Sequence, residues 1–538
     1  MNATADAWQK HIERAAKAFL RTAVVIDDEI NWSYSSNRIS PSTVELPVDD
    51  GMGQESTPRS SQHTEEKSDE NPDITDSKSL ALDLKALCKA FAEQGIVCGP
   101  IAVESGEQDK IIQSSYKLSK HADIIILDWL LASDDPTIAL SIIEKLLGDA
   151  ETATRTICIY TREEISLIEG KLREKFQTGN GDILINKNLI KPISKKDTPA
   201  EKLPEQLIRD FTLHIDGLLP SFGAAAIAGI RQNAHHVLST FSKELDGAYV
   251  ANRLISNPPE DVGEMMLSVL LAEFETMVNM QNTINEYLSC SAIELWLQKE
   301  DRIKDKNQNY SQYDKIDSEF MRNFCNNPDF DKFSEDKHVR VSIVLHGEEK
   351  SFEIEAKFAR LIANRREFYD RHARQDNITL TFGSVIREKS EGKKYYLCVT
   401  PACDLIRLTG DTKASFLQIT SSGELSKKTL TGEEVSIMLK TNGKNTECFS
   451  VNASYKRLTW LEFPVTGGEI RTGSNKSNIF TCCEGVEYEW IAELRRPRTQ
   501  RFLHGLMTNW TRIGISDSQW LHLASEKKLI KKKKQGTA

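Results

Sequence analysis

The sequence predicts an N-terminal doubly wound α/β sheet, then a helical segment, then a β-rich α+β C-terminal domain. Three observations lead there. Between residues 8 and 220, short apolar runs such as "RTAVVIDDEI", "ADIIILDWLL" and "RTICIYT" alternate with amphipathic stretches, the pattern of parallel strands joined by crossover helices. Residues 222–303 carry apolar positions at helical spacing, and beyond residue 337 the apolar runs alternate or are β-branched. At 538 residues the chain is too long for one core.

The elements follow in order. Trp8, Ile12, Ala16, Phe19 and Leu20 recur at helical spacing, so the N-terminus reads as a covering or dimer-forming helix leading into the first strand. That strand stops at three acids, Asp27, Asp28 and Glu29. Residues 31–77 are rich in Ser, Pro, Asp, Glu, Asn and Gly. They cannot bury enough apolar surface to offset their ordering entropy, which predicts a disordered insertion. "SLALDLKALCKAFAEQG" is a helix ending at Gly95, "IVCGPIAV" a strand and "DKIIQSSYKLSKHA" a helix. "ADIIILDWLL" is a buried strand ending in Asp128, and "DPTIALSIIEKLLGDAE" opens with an Asp-Pro helix start. "RTICIYT" is a strand, "EEISLIEGKLREKF" a helix, "DILIN" or "NLIKP" the last strand, and "AEKLPEQLIRDFTLHIDGLL" the closing helix.

Two helices broken at "SNPP" fill residues 221–303, and the polar residues 304–336 read as a loop. Strands are expected at "HVRVSIVLH", "NITLTFGSVI", "KKYYLCVTP", "ASFLQIT" and "ECFSVNASY", with "EWIAELRRPRTQRFLHGLMTNWTRIG" closing as a helix. Residues 337–515 thus read as a partly closed barrel with a C-terminal helix, and 516–538 as a basic tail. The expected division is 1–220, 221–303, 304–336, 337–515 and 516–538.

Composition excludes several classes. A net charge of -10 and a pI near 5.7 argue against wholesale binding of a phosphate backbone. No stretch approaches the roughly 20 apolar residues of a membrane span, and the N-terminus has no apolar core of signal-peptide type. The ten cysteines include no CxxC pair; reduced thiols in a cytoplasmic protein fit this spacing.

In a doubly wound sheet, ligands sit outside the carboxyl ends of the strands. Asp27 and Asp28 end the first strand, Asp128 the third, Thr161 the fourth, and Lys191 (or Lys187) the fifth. Converging carboxylates repel unless a cation is present, and Mg²⁺ suits oxygen ligands of this kind. Phosphoryl transfer needs chiefly charge neutralisation and alignment. Asp128 is therefore a candidate acceptor, Lys191 a phosphate contact and Thr161 a switch hydroxyl.

At these residues "VVIDDE", "DIIILDWLL", "ICIYT" and "NLIKP" resemble, in order, the signature stretches of the response-regulator receiver domain of two-component signalling. The resemblance implies a flavodoxin-like fold and Mg²⁺ held by Asp27, Asp28 and Asp128. It also implies phosphate on Asp128 from a histidine kinase, Thr161 as switch and Lys191 (alternatively Lys187) at the phosphate. Departures are Arg162 after the hydroxyl where a small residue is usual, Ala132 in place of a proline, and Asn188 in place of an aromatic. "YYLCVTPACDLIRL" and "NWTRIG" resemble stretches of atypical response-receiver proteins from bacterial conflict and anti-phage loci, which implies a histidine-kinase-like ATPase partner. A homodimer is the expectation for a receiver that transmits its state through dimerisation.

Elsewhere the sequence offers less. Cys403 and Asp404, with His346 or His372, invite a nucleophile or metal reading, against a packed cysteine and a turn aspartate. His235 and His236 are adjacent and so do not share a helix face. No helix-turn-helix with a basic recognition helix follows residue 220, which removes a DNA-binding output. A phosphorylation-independent scaffold and a C-terminal nuclease-type effector are the alternatives.

Overall fold

The computed structural model describes the chain except residues 1–2, 29, 31–81, 104–105, 133–134, 149–153, 177–182, 186–187, 257–260, 299–317, 327–334, 369–377, 391, 393, 427–434, 442–444, 474–477 and 511–538. The expected insertion at 31–77, the basic tail, Lys187 and His372 therefore lie outside the described residues. Contacts divide the chain into two units, Met1–Ala248 with Glu264–Lys299, and Tyr249–Gly263 with Glu300–Ala538.

The first unit opens with α1 (Ala3–Phe19) and β1 (Thr22–Asp27), then α2 (Leu84–Glu93), β2 (Val97–Ala102), α3 (Gln108–Ser119) and β3 (Ile124–Leu127). It continues through α4 (Thr137–Gly148), β4 (Thr156–Thr161), α5 (Ile165–Phe176), β5 (Ile183–Ile185), β6 (Asn188–Ser194) and α6 (Leu203–His214). The sheet order is β2-β1-β3-β4-β6-β5; the first five strands are parallel and β5 is an antiparallel edge. "DILIN" and "NLIKP" are thus both strands, joined as a hairpin. Every residue of β3 and β4 is buried, as parallel strands covered on both faces must be. Their alternation splits the core. Ile124, Ile126, Cys158 and Tyr160 face α1, α2 and α6, while Ile125, Leu127, Ile157 and Ile159 face α3, α4 and α5. The Asp-Pro signal works as expected: Asp135 Oδ1 accepts from Thr137 N at 2.8 Å and starts α4.

The next helices are α7 (Leu218–Thr240), α8 (Asp246–Ile255), α9 (Asp261–Met280), α10 (Thr283–Tyr287) and α11 (Cys290–Leu297). Ala224, Ala225 and Tyr287 lie in the same core cluster as Ala15, Phe19 and Phe211. The expected boundary at residue 220 therefore falls in the first turn of a helix whose small residues seal the α1 side of the sheet. Arg231 of α7 reaches the amino end of β3, donating to Asp123 Oδ1 (2.9 Å) and to the Phe19 carbonyl (3.0 Å). Asp123 in turn takes the backbone N–H groups of Arg21 and Thr22, so one buried carboxylate ties α7, β1 and β3.

In the second unit α12 (Ser318–Asn326), α13 (Glu335–His346) and α14 (Glu348–Ala363) precede a nine-stranded sheet. Its strands are β7 (Asn364–Glu367), β8 (Ser384–Glu388), β9 (Tyr395–Cys398), β10 (Thr412–Glu424), β11 (Ile437–Lys440), β12 (Thr446–Ser450), β13 (Leu458–Phe463), β14 (Ile479–Thr481) and β15 (Glu487–Leu494), followed by α15 (Arg496–Trp510). The order is β11-β12-β10-β9-β8-β15-β14, with β13 on β10 and β7 on β15. One face buries Phe416, Phe463, Phe480 and Trp490; the other buries Leu417, Phe449 and Ile491 beneath Phe502 and Leu503 of α15.

Three expectations are corrected here. "HVRVSIVLH" lies in helix α13, where the adjacent Ile343 and Val344 are both buried, a helical face that packing imposes on β-branched residues. The loop expected at 304–336 contains α12, with Met321 buried. "EWIAEL" is strand rather than helix: Tyr488 and Trp490 are buried on one face and pair with β8, and the helix begins only at Arg496.

His11 of α1 is buried between the rings of Trp8 (5.3 Å) and Tyr287 (4.7 Å), and its Nε2 has no hydrogen-bond partner. Burial, reinforced by Arg14 and opposed by Glu286, lowers its pKa below 6.5. The neutral ring is the folded form, so its contribution is fully present above the unfolded value and is lost as pH falls through the lowered one. Thermal stability should drop as pH falls below about 6.5, and His11→Phe should flatten that drop. An acid limb unchanged in His11→Phe would contradict this. Gly383 stands at φ +95°, where a Cβ would meet Thr499 Oγ1 at 2.8 Å and the Leu494 carbonyl at 2.9 Å. Gly383→Ala is expected to cost roughly 2–3 kcal/mol in urea unfolding.

Candidate functional site

The site grows from the carboxyl ends of level parallel strands. Strand order reverses between β1 and β3, the place where a doubly wound sheet opens a crevice. Asp27 is the last residue of β1, Asp28 follows it, and Asp128 follows β3, its N–H bonded to the Ile26 carbonyl at 3.0 Å. Their carboxylate oxygens lie within 4.8 Å of one another, with Asp27 buried, Asp128 half-buried and Asp28 exposed. All three acids expected from the sequence thus meet.

The cation among them is Lys195. Its Nζ donates to Asp27 Oδ2 at 2.9 Å and to Asp128 Oδ2 at 2.5 Å, with only 8% of the lysine side chain exposed. Burial alone would lower its pKa, but the Asp27 and Asp128 carboxylates more than offset that and raise it. The ammonium therefore stays charged. Removing one partner of such a pair typically costs about 3–5 kcal/mol. Lys191, expected in this place, is elsewhere: its Nζ donates to Asp210 of α6 at 2.5 Å. Register explains the difference. Lys191 pairs with Cys158 in mid-sheet, whereas Ser194 pairs with Thr161 at the strand end, and the Lys195 N–H bonds the Thr161 carbonyl at 2.7 Å. Counting four residues on from Lys191 to the end of the neighbouring strand would have found it.

Thr161 is buried at the end of β4, and its Oγ1 accepts from Glu163 N at 3.2 Å. Arg162 beside it is half-buried. Ala132 has φ +52° and donates its N–H to Asp28 Oδ2 at 3.0 Å. A proline at this position would have neither the N–H nor that φ, which accounts for its absence. Tyr160 lies 5.7 Å beneath the Lys195 ammonium, and its hydroxyl donates to the Thr198 carbonyl at 2.8 Å. Burial first, then Cys158, Glu201 and Asp27, raise its pKa to about 12, so it remains a donor. In the second unit Cys403 is exposed in the turn Ala402–Leu405, its Sγ 3.3 Å from Asp404 Oδ1. A carboxylate is a poor neighbour for a nucleophilic thiolate, which calls for a cation or imidazole.

Residues 19–200 match the family model of the response receiver domain. The N-terminal region carries a response receiver domain. No curated protein and no solved structure matches the chain. A response-regulator role in signalling follows for the receiver, whose kind takes phosphate from histidine kinases and binds Mg²⁺ through acids. No helix among the described residues is long and apolar enough to cross a membrane.

The donor set fits such an ion. Three carboxylates face one ammonium, and the excess negative charge together with hard oxygen donors suits Mg²⁺. Titration with Mg²⁺ is expected to raise the melting temperature, the stabilisation reaching about 2.7 kcal/mol at a hundredfold excess over Kd. Asp28→Asn, the exposed member, should remove most of that rise with little change without metal; a full rise in this variant would exclude the acids as the metal site.

Proposed function

We propose that the chain is a response-receiver signalling protein that accepts a phosphoryl group on Asp128, with Mg²⁺ held by Asp27, Asp28 and Asp128. The observation that carries this is the Lys195 ammonium bridging Asp27 and Asp128. The Asp128 carboxylate attacks the phosphorus of a phosphohistidine on a histidine kinase or histidine-kinase-like ATPase, and the imidazole leaves with the bonding pair. The metal, when bound, neutralises charge on the transferring oxygens. Lys195 is positioned to move from Asp128 Oδ2 to a phosphoryl oxygen while retaining Asp27. Lys191 keeps its structural pair with Asp210.

Thr161 is the switch: its hydroxyl exchanges the Glu163 N–H for the phosphoryl group, which rearranges the β4–α5 turn. The output is a non-DNA-binding effector or adaptor region C-terminal to the helices that complete the receiver core, in a cytoplasmic protein of an anti-phage locus. A phosphorylation-independent scaffold is the second reading, favoured by half-buried Arg162 next to Thr161.

Intact-mass measurement after incubation with acetyl phosphate and Mg²⁺ decides between them. The expected result is one added phosphoryl group, absent in Asp128→Asn, strongly reduced in Lys195→Ala and retained in Lys191→Met. No gain with acetyl phosphate or a phosphorylated kinase would leave the scaffold reading standing.

A further inference from the structure

A cavity of about 500 Å³ opens in the second unit between α14, β11 and the start of α15. Its size is that of a small-molecule site. Ile362, Ile437 and Met438 form an apolar wall, and Arg495, Arg498 and Arg501 also line the cavity, with no carboxylate residue among the described lining residues. In a chain of net charge -10 this is a local excess of positive charge.

Two of the guanidiniums are held by groups that carry no charge. Arg498 Nη2 donates to the Ser436 carbonyl at 2.5 Å, and its guanidinium lies 5.2 Å from the Phe502 ring. Arg495 Nη2 donates to the Leu361 carbonyl at 3.2 Å. Arg498 Nε is buried without a hydrogen-bond partner. Burial, then repulsion from Arg501, lowers the Arg498 pKa, and no acid counters either effect. Two held guanidiniums and that of Arg501, with no ion pair to an acid among the described residues and beside the amino end of a 15-residue helix, are arranged for an anion. The apolar wall would be idle against a free inorganic ion.

We propose that this cavity binds an organic phosphate of nucleotide size, with its phosphate on Arg498 and Arg501 and its body against Ile362, Ile437 and Met438. The second unit then senses or uses a small molecule, a function separate from the acid cluster of the receiver. A phosphate supplies several acceptor oxygens to the two forks, where a carboxylate would engage one.

Full-length protein is titrated by calorimetry with ATP, GTP, adenosine and inorganic phosphate, without divalent cations so that the receiver acids contribute nothing. ATP or GTP should bind saturably, at least about tenfold more tightly than adenosine or inorganic phosphate. Arg501→Glu, at an exposed lining residue, should weaken that binding about tenfold or more with an unchanged melting temperature, and Arg498→Ala should weaken it further. The proposal fails if neither nucleotide saturates the protein by about 1 mM, if inorganic phosphate binds equally well, or if both variants bind as the parent does.

Discussion

The ammonium of Lys195, shared by Asp27 and Asp128, is what allows the carboxyl edge of the first sheet to exist as it is. Three carboxylates within 4.8 Å repel one another, and two of them have left most of their water behind. One buried ammonium offsets part of that repulsion and leaves an excess of negative charge in place. The strands supply the rest: β1, β3, β4 and β6 run parallel and end level, so residues far apart in the chain meet at one edge. A slip of one residue in β6 would carry Lys195 away from the acids, which makes the β4–β6 register part of the chemistry.

Much of this was legible in the sequence, for a physical reason. Parallel strands buried on both faces must read as unbroken apolar runs, and "IIIL" and "TICIYT" do. The acids were legible because a polar residue directly after such a run has to leave the core at the strand end. Lys195 was not, because two lysines four residues apart in "KPISK" offer the same chemistry, and only the pairing of Ser194 with Thr161 separates them. The proline missing at Ala132 looked like a defect until the backbone showed that its N–H is used by Asp28. In the second unit the errors have another origin. "HVRVSIVLH" alternates as a strand should, and only packing against α14 decides for helix, a long-range term that no local pattern carries.

The boundary of the receiver was the least legible feature. Family resemblance places it after α6, yet α1, α7 and α10 complete its core, and Trp8 Nε1 donates to Asp216 Oδ1 at 2.7 Å across more than two hundred residues. Covering one face of the sheet with five helices, α1, α2, α6, α7 and α10, removes that face from reversible docking. Contacts made and broken by a signalling state must then use the α3–α4–α5 side, or act through the packed layer itself.

The packed layer does reach the site. Tyr160 belongs to the core cluster that includes Ala224 and Ala225 of α7, its ring lies under the Lys195 ammonium, and its hydroxyl holds the Thr198 carbonyl in the segment that carries Lys195. Spatial continuity is not coupling; an element with two arrangements is required. The residue 195–202 segment is the element within reach, because beyond the Lys195 N–H on the Thr161 carbonyl it leaves the sheet ladder and is held by local turn bonds, the Tyr160 hydroxyl and the Lys195 ammonium. Any displacement of Lys195 would pull that segment against the Tyr160 hydrogen bond. The strain then falls on a ring packed in the same core as α7, which places the receiver's chemistry and its helical cover in one mechanical unit.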